Sequence, residues 1–240
     1  MKKFSLSIIA LLFCVSTWAQ TDKKPTQLSE TVYILPKAGM NVQFEAAIAE
    51  HNKKFHPVGP YHAVLRKVEY GAKSGWYVWV MITTYASLDT RPNLEGGHQE
   101  HWDKSVGPTV EEYGDVGLWG YDEELSIGMD LFMKSKKYNI WNIDLKRGQG
   151  DKFKVIVEKL RDTYKSMGNR AFLVYNNQIH TAGGADIALI WSLKNYADLD
   201  GDWGTKEAFE KINGEGSWQK MVDEWREITV DYDEEIRTML

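Results

Sequence analysis

The chain has 240 residues, of which 29 are basic and 34 acidic, a formal net charge of −5 with 43% hydrophobic and 26% charged residues. Acidic balance without long runs of one sign argues against nucleic acid and against anionic membrane surfaces as partners. The only cysteine is Cys14, so no disulfide framework is available within the chain.

Met1-Lys2-Lys3, an apolar run over residues 5–15 and the small-residue end Ser16 to Ala19 have the three zones of a secretory signal peptide. Cleavage is expected after Ala19, which makes residues 1–19 a leader and the mature chain exported, periplasmic or extracellular. Phe13 is too large for the position before a lipid-attached cysteine, which argues against lipidation at Cys14. Losing Lys2, Lys3 and Cys14 leaves 27 basic against 34 acidic residues, a net of −7, with no thiol chemistry. No later segment approaches the roughly 20 apolar residues of a membrane span. Residues 20–30, polar and containing Pro25, read as a flexible lead-in.

The periodic elements follow. A strand over 31–35 precedes a helix whose Phe44, Ala47, Ile48, His51 and Phe55 fall at steps of 0, 3, 4, 7 and 11, one helical face. Pro57 stops it. Strands over 62–70 and 76–83 flank the turn "GAKSG", and the phrase Tyr85-Ala86-Ser87-Leu88-Asp89 comes next. A variable loop, a helix over about 100–113 and a short last strand complete this half. The second half repeats the order: strand 138–145, a helix bearing Phe153, Ile156, Val157, Leu160 and Tyr164, strands 171–179 and 187–193, helix 217–228 and a last strand. Gly168 and Asn169 supply its first helix with a left-handed stop.

Tyr85-Ala86-x-Leu88-Asp89 recurs as Tyr196-Ala197-x-Leu199-Asp200, and Tyr121-Asp122-Glu123-Glu124 as Tyr232-Asp233-Glu234-Glu235, both at an offset of 111. Two phrases at one spacing indicate duplication, with repeats over 31–127 and 136–240. Each repeat is a β-α-β-β-α-β ferredoxin-like unit, whose antiparallel sheet carries both helices on one face and leaves the other bare. Two copies can bury their bare faces against each other. The expected fold is therefore α+β, two tandem ferredoxin-like repeats packed sheet to sheet. Over residues 30–240 the chain resembles the dimeric α+β barrel superfamily, fused into one polypeptide. That superfamily includes small antibiotic-biosynthesis-type monooxygenases and haem-binding or haem-degrading relatives.

Alternation sorts the strand residues onto faces. Val78, Val80 and Ile82, matched with Leu189, Trp191 and Leu193, are assigned to the helix-covered face. Tyr77, Trp79 and Met81 are assigned to the cavity between the sheets. In the first strands, Val32 and Ile34 match Trp141 and Ile143 on the helix side, which sends Tyr33 and Leu35, with Asn142 and Asp144, to the cavity. Polar groups in mid-strand need partners, so Asn142 and Asp144 are site candidates. His62 and Arg66 share a strand face and could hold a carboxylate or phenolate. His98 and His101, three apart in "GGHQEHW", share a helical face and could hold a divalent metal, or one could ligate haem. His51, on an apolar helical face, reads as a core histidine.

Three functions are carried forward. The first is an exported module that binds a small, partly aromatic molecule between the repeats without a cofactor, through Tyr33, His62, Arg66, Tyr77, Trp79, Met81 and Trp102. The second follows from the resemblance. Monooxygenases of the superfamily combine a strand asparagine, a tryptophan and a helix histidine, to which Asn142, Trp79 and His101 compare, with Asp144 nearby. That site would oxidise a phenolic substrate. The third is haem or metal binding at His98 and His101. No glycine-rich phosphate loop, serine elbow or HExxH is present. A homodimer is left open.

Overall fold

The computed structural model describes residues 25–91 and 97–240. The expected leader, residues 20–24 of the lead-in and residues 92–96 of the variable loop lie outside them. In chain order the elements are β1 (Leu28–Pro36), α1 (Asn41–Phe55), β2 (Ala63–Tyr70), β3 (Tyr77–Thr83), α2 (Tyr85–Asp89), α3 (His98–His101) and β4 (Val110–Tyr121). The linker helix α4 (Met129–Lys134) follows, and then β5 (Lys137–Leu145), α5 (Gly150–Met167), β6 (Phe172–Asn177), β7 (Ile187–Leu193), α6 (Thr205–Asn213), α7 (Ser217–Ile228) and β8 (Thr229–Met239).

The strands close into one antiparallel barrel in the order β1-β3-β2-β8-β5-β7-β6-β4. Within each half the order is that of a ferredoxin-like sheet, with the last strand beside the first. The two sheets do more than face each other, because their edges are hydrogen-bonded. β4 pairs with both β1 and β6, and β8 with both β5 and β2. These last strands, expected to be short, run to 12 and 11 residues because each one must serve two neighbours. Closure leaves no exposed sheet edge.

The repeated phrases are structural. Tyr85–Asp89 is one helical turn, capped by the Thr84 hydroxyl, which accepts from the Ser87 N–H at 3.1 Å. Its copy, Tyr196–Leu199, is a 3-10 turn. The helix expected over 100–113 is shorter. After α3 comes a π-helical turn, Trp102–Val106, then a 3-10 turn, Gly107–Thr109, and the chain is extended from Val110.

The helices cover the outside of the barrel. Phe44 and Ile48 of α1 pack on Ile34, Leu65, Tyr77, Trp79 and Met81, while Phe153, Ile156 and Leu160 of α5 pack on Ile143, Phe172, Leu189 and Trp191 with Phe209 of α6 and Met221 of α7. Inside lie Val68, Val78 and Val80 from the first sheet and Tyr138, Ile140, Leu173, Tyr175 and Ile190 from the second. Phe132 of α4 seals the end at which Tyr138 pairs with Arg237.

Thus Tyr77, Trp79 and Met81 face α1 and not the space between the sheets, which corrects their assignment to an inner cavity. The sheet register explains the inversion. Ile34 pairs with Tyr77 and Ile143 with Ile187, so β3 and β7 correspond at an offset of 110 and not 111. A slip of one residue exchanges the two faces of a strand. The assignments in β1, β5 and β7 follow the correct alternation, with Trp141, Ile143, Leu189 and Trp191 on the helix side.

The space left inside the barrel is a chamber of about 60 Å³. That is smaller than the cavity of about 150 Å³ that admits benzene, and it adjoins a wider opening of about 440 Å³ that shares Thr31, Tyr33, Trp119 and Asn142 with it. Among the described residues no helix is long and apolar enough to cross a membrane.

Candidate metal centre

Four of the six histidines meet on the outer face of the first sheet. His51 shares the apolar stripe of α1 with Phe44 and Ile48 and is fully buried. His56 directly follows the helix, which ends because Pro57 cannot continue it. The 3-10 turn Gly59–Tyr61 then folds the Tyr61 carbonyl back onto His56. His98 and His101 lie on the single turn α3, opened by Gly97 at φ 81°, a left-handed conformation suited to glycine.

His98 Nε2 lies 3.2 Å from His51 Nε2 and 2.9 Å from His56 Nε2, and donor nitrogens of the three rings all lie within 4.8 Å of one another. Ligands 2.0–2.1 Å from a tetrahedral ion are roughly 3.3 Å apart, and the two separations from His98 Nε2 are close to that spacing. The outer nitrogens decide the tautomers. His56 Nδ1–H donates to the Tyr61 carbonyl at 2.9 Å, which leaves its Nε2 lone pair free. His51 Nδ1 contacts His101 Nδ1 at 3.3 Å, and His101 Nε2 lies 3.8 Å from the Glu50 carboxylate. If His51 Nδ1–H donates to His101, then His51 Nε2 also presents a lone pair. One proton on His98 Nε2 can serve only one of these two acceptors; a cation serves all three nitrogens.

Burial, and after it the neighbouring histidines, pushes His51 down to about 3. Burial likewise lowers His56 and His98. The rings are therefore neutral near pH 7, the form that coordinates metals. Phe55, Trp79 and Trp102 wall the cluster, with ring centroids 5.0 Å from His98, 5.2 Å from His56 and 5.0 Å from His51 respectively. Trp79 Nε1–H is held by Asn52 Oδ1 at 2.9 Å and Trp102 Nε1–H by the Tyr113 hydroxyl at 2.8 Å. Three imidazoles is the protein ligand count of a catalytic zinc site, whose fourth position is taken by water or substrate.

The structure thus brings His98, His101, Trp79 and Trp102 together, but not the asparagine compared with them. Asn142 lines the chamber inside the barrel, on the opposite side of the wall from Trp79. The composite of Asn142, Trp79 and His101 does not form, because the slipped alignment had placed Trp79 inside. Asp144 lies beyond the chamber, opposite Asp231. Tyr33 and Arg66 line the chamber, whereas His62 is half-buried just before β2 and is not among its lining residues. The Tyr77 hydroxyl donates to Glu45 at 2.5 Å on the helix side, and Met81 is buried there.

Sequence reasoning missed His56 and read His51 as core. The available signal was density, since five of six histidines precede residue 102 and none of the clustered four has a counterpart in the second repeat.

No protein-family model matches the chain, and no curated protein sequence matches it significantly. Solved structures do. A chlorite dismutase from Candidatus Nitrospira defluvii, in complex with imidazole, is 7% identical at a TM-score of 0.57, covering 91% of this chain and 92% of that one. A proposed monooxygenase from Fusobacterium nucleatum is 9% identical at 0.56, covering 91% and 94%. Another from Lactobacillus acidophilus is 11% identical at 0.54, covering 89% and 94%. At these identities the likeness is one of fold, and with the closed eight-stranded sheet it establishes the chain as a dimeric α+β barrel formed within a single polypeptide.

Proposed function

We propose that the protein binds one first-row divalent metal ion, of the zinc and copper class, through Nε2 of His51, His56 and His98. The observation that carries this reading is the convergence of three buried or half-buried imidazole nitrogens at 2.9 and 3.2 Å. Imidazole suits these ions. His101 would act from outside, holding His51 through its Nδ1 and passing the contact on toward Glu50. The same geometry argues against an axial haem ligand, since imidazoles so close to His98 Nε2 occupy the space a porphyrin plane needs. Isothermal titration of metal-stripped protein with Zn²⁺ is expected to give one site per chain. His101→Ala should weaken that site about 10- to 100-fold without changing its stoichiometry. Absence of saturable binding in the unmodified protein sinks the proposal.

A second reading keeps the aromatic ligand but moves it. Between the second sheet and α5 and α7 lies a cavity of about 320 Å³, walled by Trp141, Trp191, Trp218, Trp225, Tyr164 and Tyr232. That is the size of a small-molecule pocket. Trp141 Nε1–H is buried there and meets no acceptor among the described residues, which favours a planar molecule bearing an acceptor atom. Naphthol is the probe: it should raise the melting temperature saturably in the unmodified protein and not in Trp218→Ala, and an equal response in both would place it elsewhere.

A further inference from the structure

The barrel interior holds a charge imbalance that neither reading uses. Arg237 is 6% exposed and satisfied, with its Nε–H donating to Glu235 at 2.7 Å and an Nη2–H donating to the Tyr33 hydroxyl at 2.5 Å. Glu235, 4% exposed, is its counter-ion, with Nη2 2.6 Å from Oε2. Arg66, 8% exposed, has no such partner. Among the described residues no carboxylate makes an ion pair with it, and its Nε–H is buried without an acceptor. Its guanidinium lies 5.3 Å from the Phe132 ring centroid and 5.1 Å from that of Tyr138. Those π-faces stabilise the cation from the side and offer its Nε–H no acceptor. Two guanidinium groups therefore face one carboxylate inside a closed barrel, and a buried charge without a partner is costly. Burial lowers Arg66, partly offset by Tyr175 and Tyr138, but a guanidinium stays protonated in proteins.

Beside Arg66 is the chamber of about 60 Å³, lined also by Ser29, Thr31, Trp119 and Asn142. Its volume is that of one small ion. A polar opening shares Thr31, Tyr33, Trp119 and Asn142 with the chamber and is lined further by Lys73, Asp115, Asp233 and Glu235.

We propose that this chamber is a binding site for one small monovalent anion, a halide or a planar oxyanion such as nitrate, formate or bicarbonate, held by Arg66. The Asn142 amide is the further donor within the lining; the hydroxyls of Ser29 and Thr31 meet Tyr175 and the Gly117 carbonyl.

The test is thermal unfolding of the full chain in a gluconate buffer, with bromide, nitrate and formate titrated separately and sulfate as the oversized control. The expected result is a saturable rise of roughly 5–10 °C at a hundredfold excess over Kd, for halide, oxyanion or both, and none for sulfate. The relative Kd values tell the halide from the planar oxyanions. Arg66→Met, which keeps the length and removes the charge, should lose the response while melting no lower than the anion-free parent. A bromide-soaked crystal of the unmodified protein gives an independent readout, with an anomalous peak expected within hydrogen-bonding reach of the Arg66 guanidinium. Equal response to sulfate, retention in Arg66→Met, or no peak at Arg66 overturns the proposal.

Discussion

Glu235→Ala is expected to destabilise the barrel by about 3–5 kcal/mol, measured by urea unfolding, because it strands a buried cation. In the native chain the Glu235 carboxylate lies 2.6 Å from the Arg237 guanidinium, and the Tyr33 hydroxyl lies 3.2 Å from both carboxylate oxygens. Removing it leaves Arg237 and Arg66 in one closed interior without a counter-charge. The double substitution Glu235→Ala with Arg237→Met should recover much of the loss, since replacing both members of a buried pair by apolar groups is often neutral. A double variant no more stable than the single one would show that the pair acts through shape and not through charge. The location matters because β8 is one of the two strands that join the repeats, pairing with β5 on one side and β2 on the other.

The second large effect belongs to the histidines. His98→Ala is expected to weaken Zn²⁺ binding by at least about a hundredfold, because losing an outer partner alone already costs 10- to 100-fold. His98 is the better choice because it is half-buried on the single turn α3, whereas His51 is fully buried against the core. The apo stability of His98→Ala should therefore stay close to that of the parent. The parent should gain about 4 kcal/mol at a thousandfold excess of metal over Kd, and the variant little. The readouts are titration calorimetry and the metal-dependent shift in melting temperature. Unchanged affinity in His98→Ala would remove His98 from the ligand set.

The sequence by itself determined the order of the main strands and of α1, α5 and α7, their duplication and hence the fold, but not α4, α6 or the short α3. Apolar steps in α1 and α5 and recurring phrases 111 apart are local or periodic properties, and such properties survive without knowledge of packing. Export is a reading of residues 1–19 alone, which lie outside the described residues. Two things were decided only by the tertiary structure. The face of β3 depends on a register that the repeat spacing does not fix to the residue, and an error of one residue put Tyr77, Trp79 and Met81 on the wrong side of the wall. The meeting of His51 and His56 with His98 and His101 joins segments separated by more than 40 residues. Their spacing carries no metal motif; proximity arises only once α1 lies on the first sheet and α3 folds back over it. In the same way, the lone charge of Arg66 became visible only when closure of the barrel showed that Glu235 is committed to Arg237.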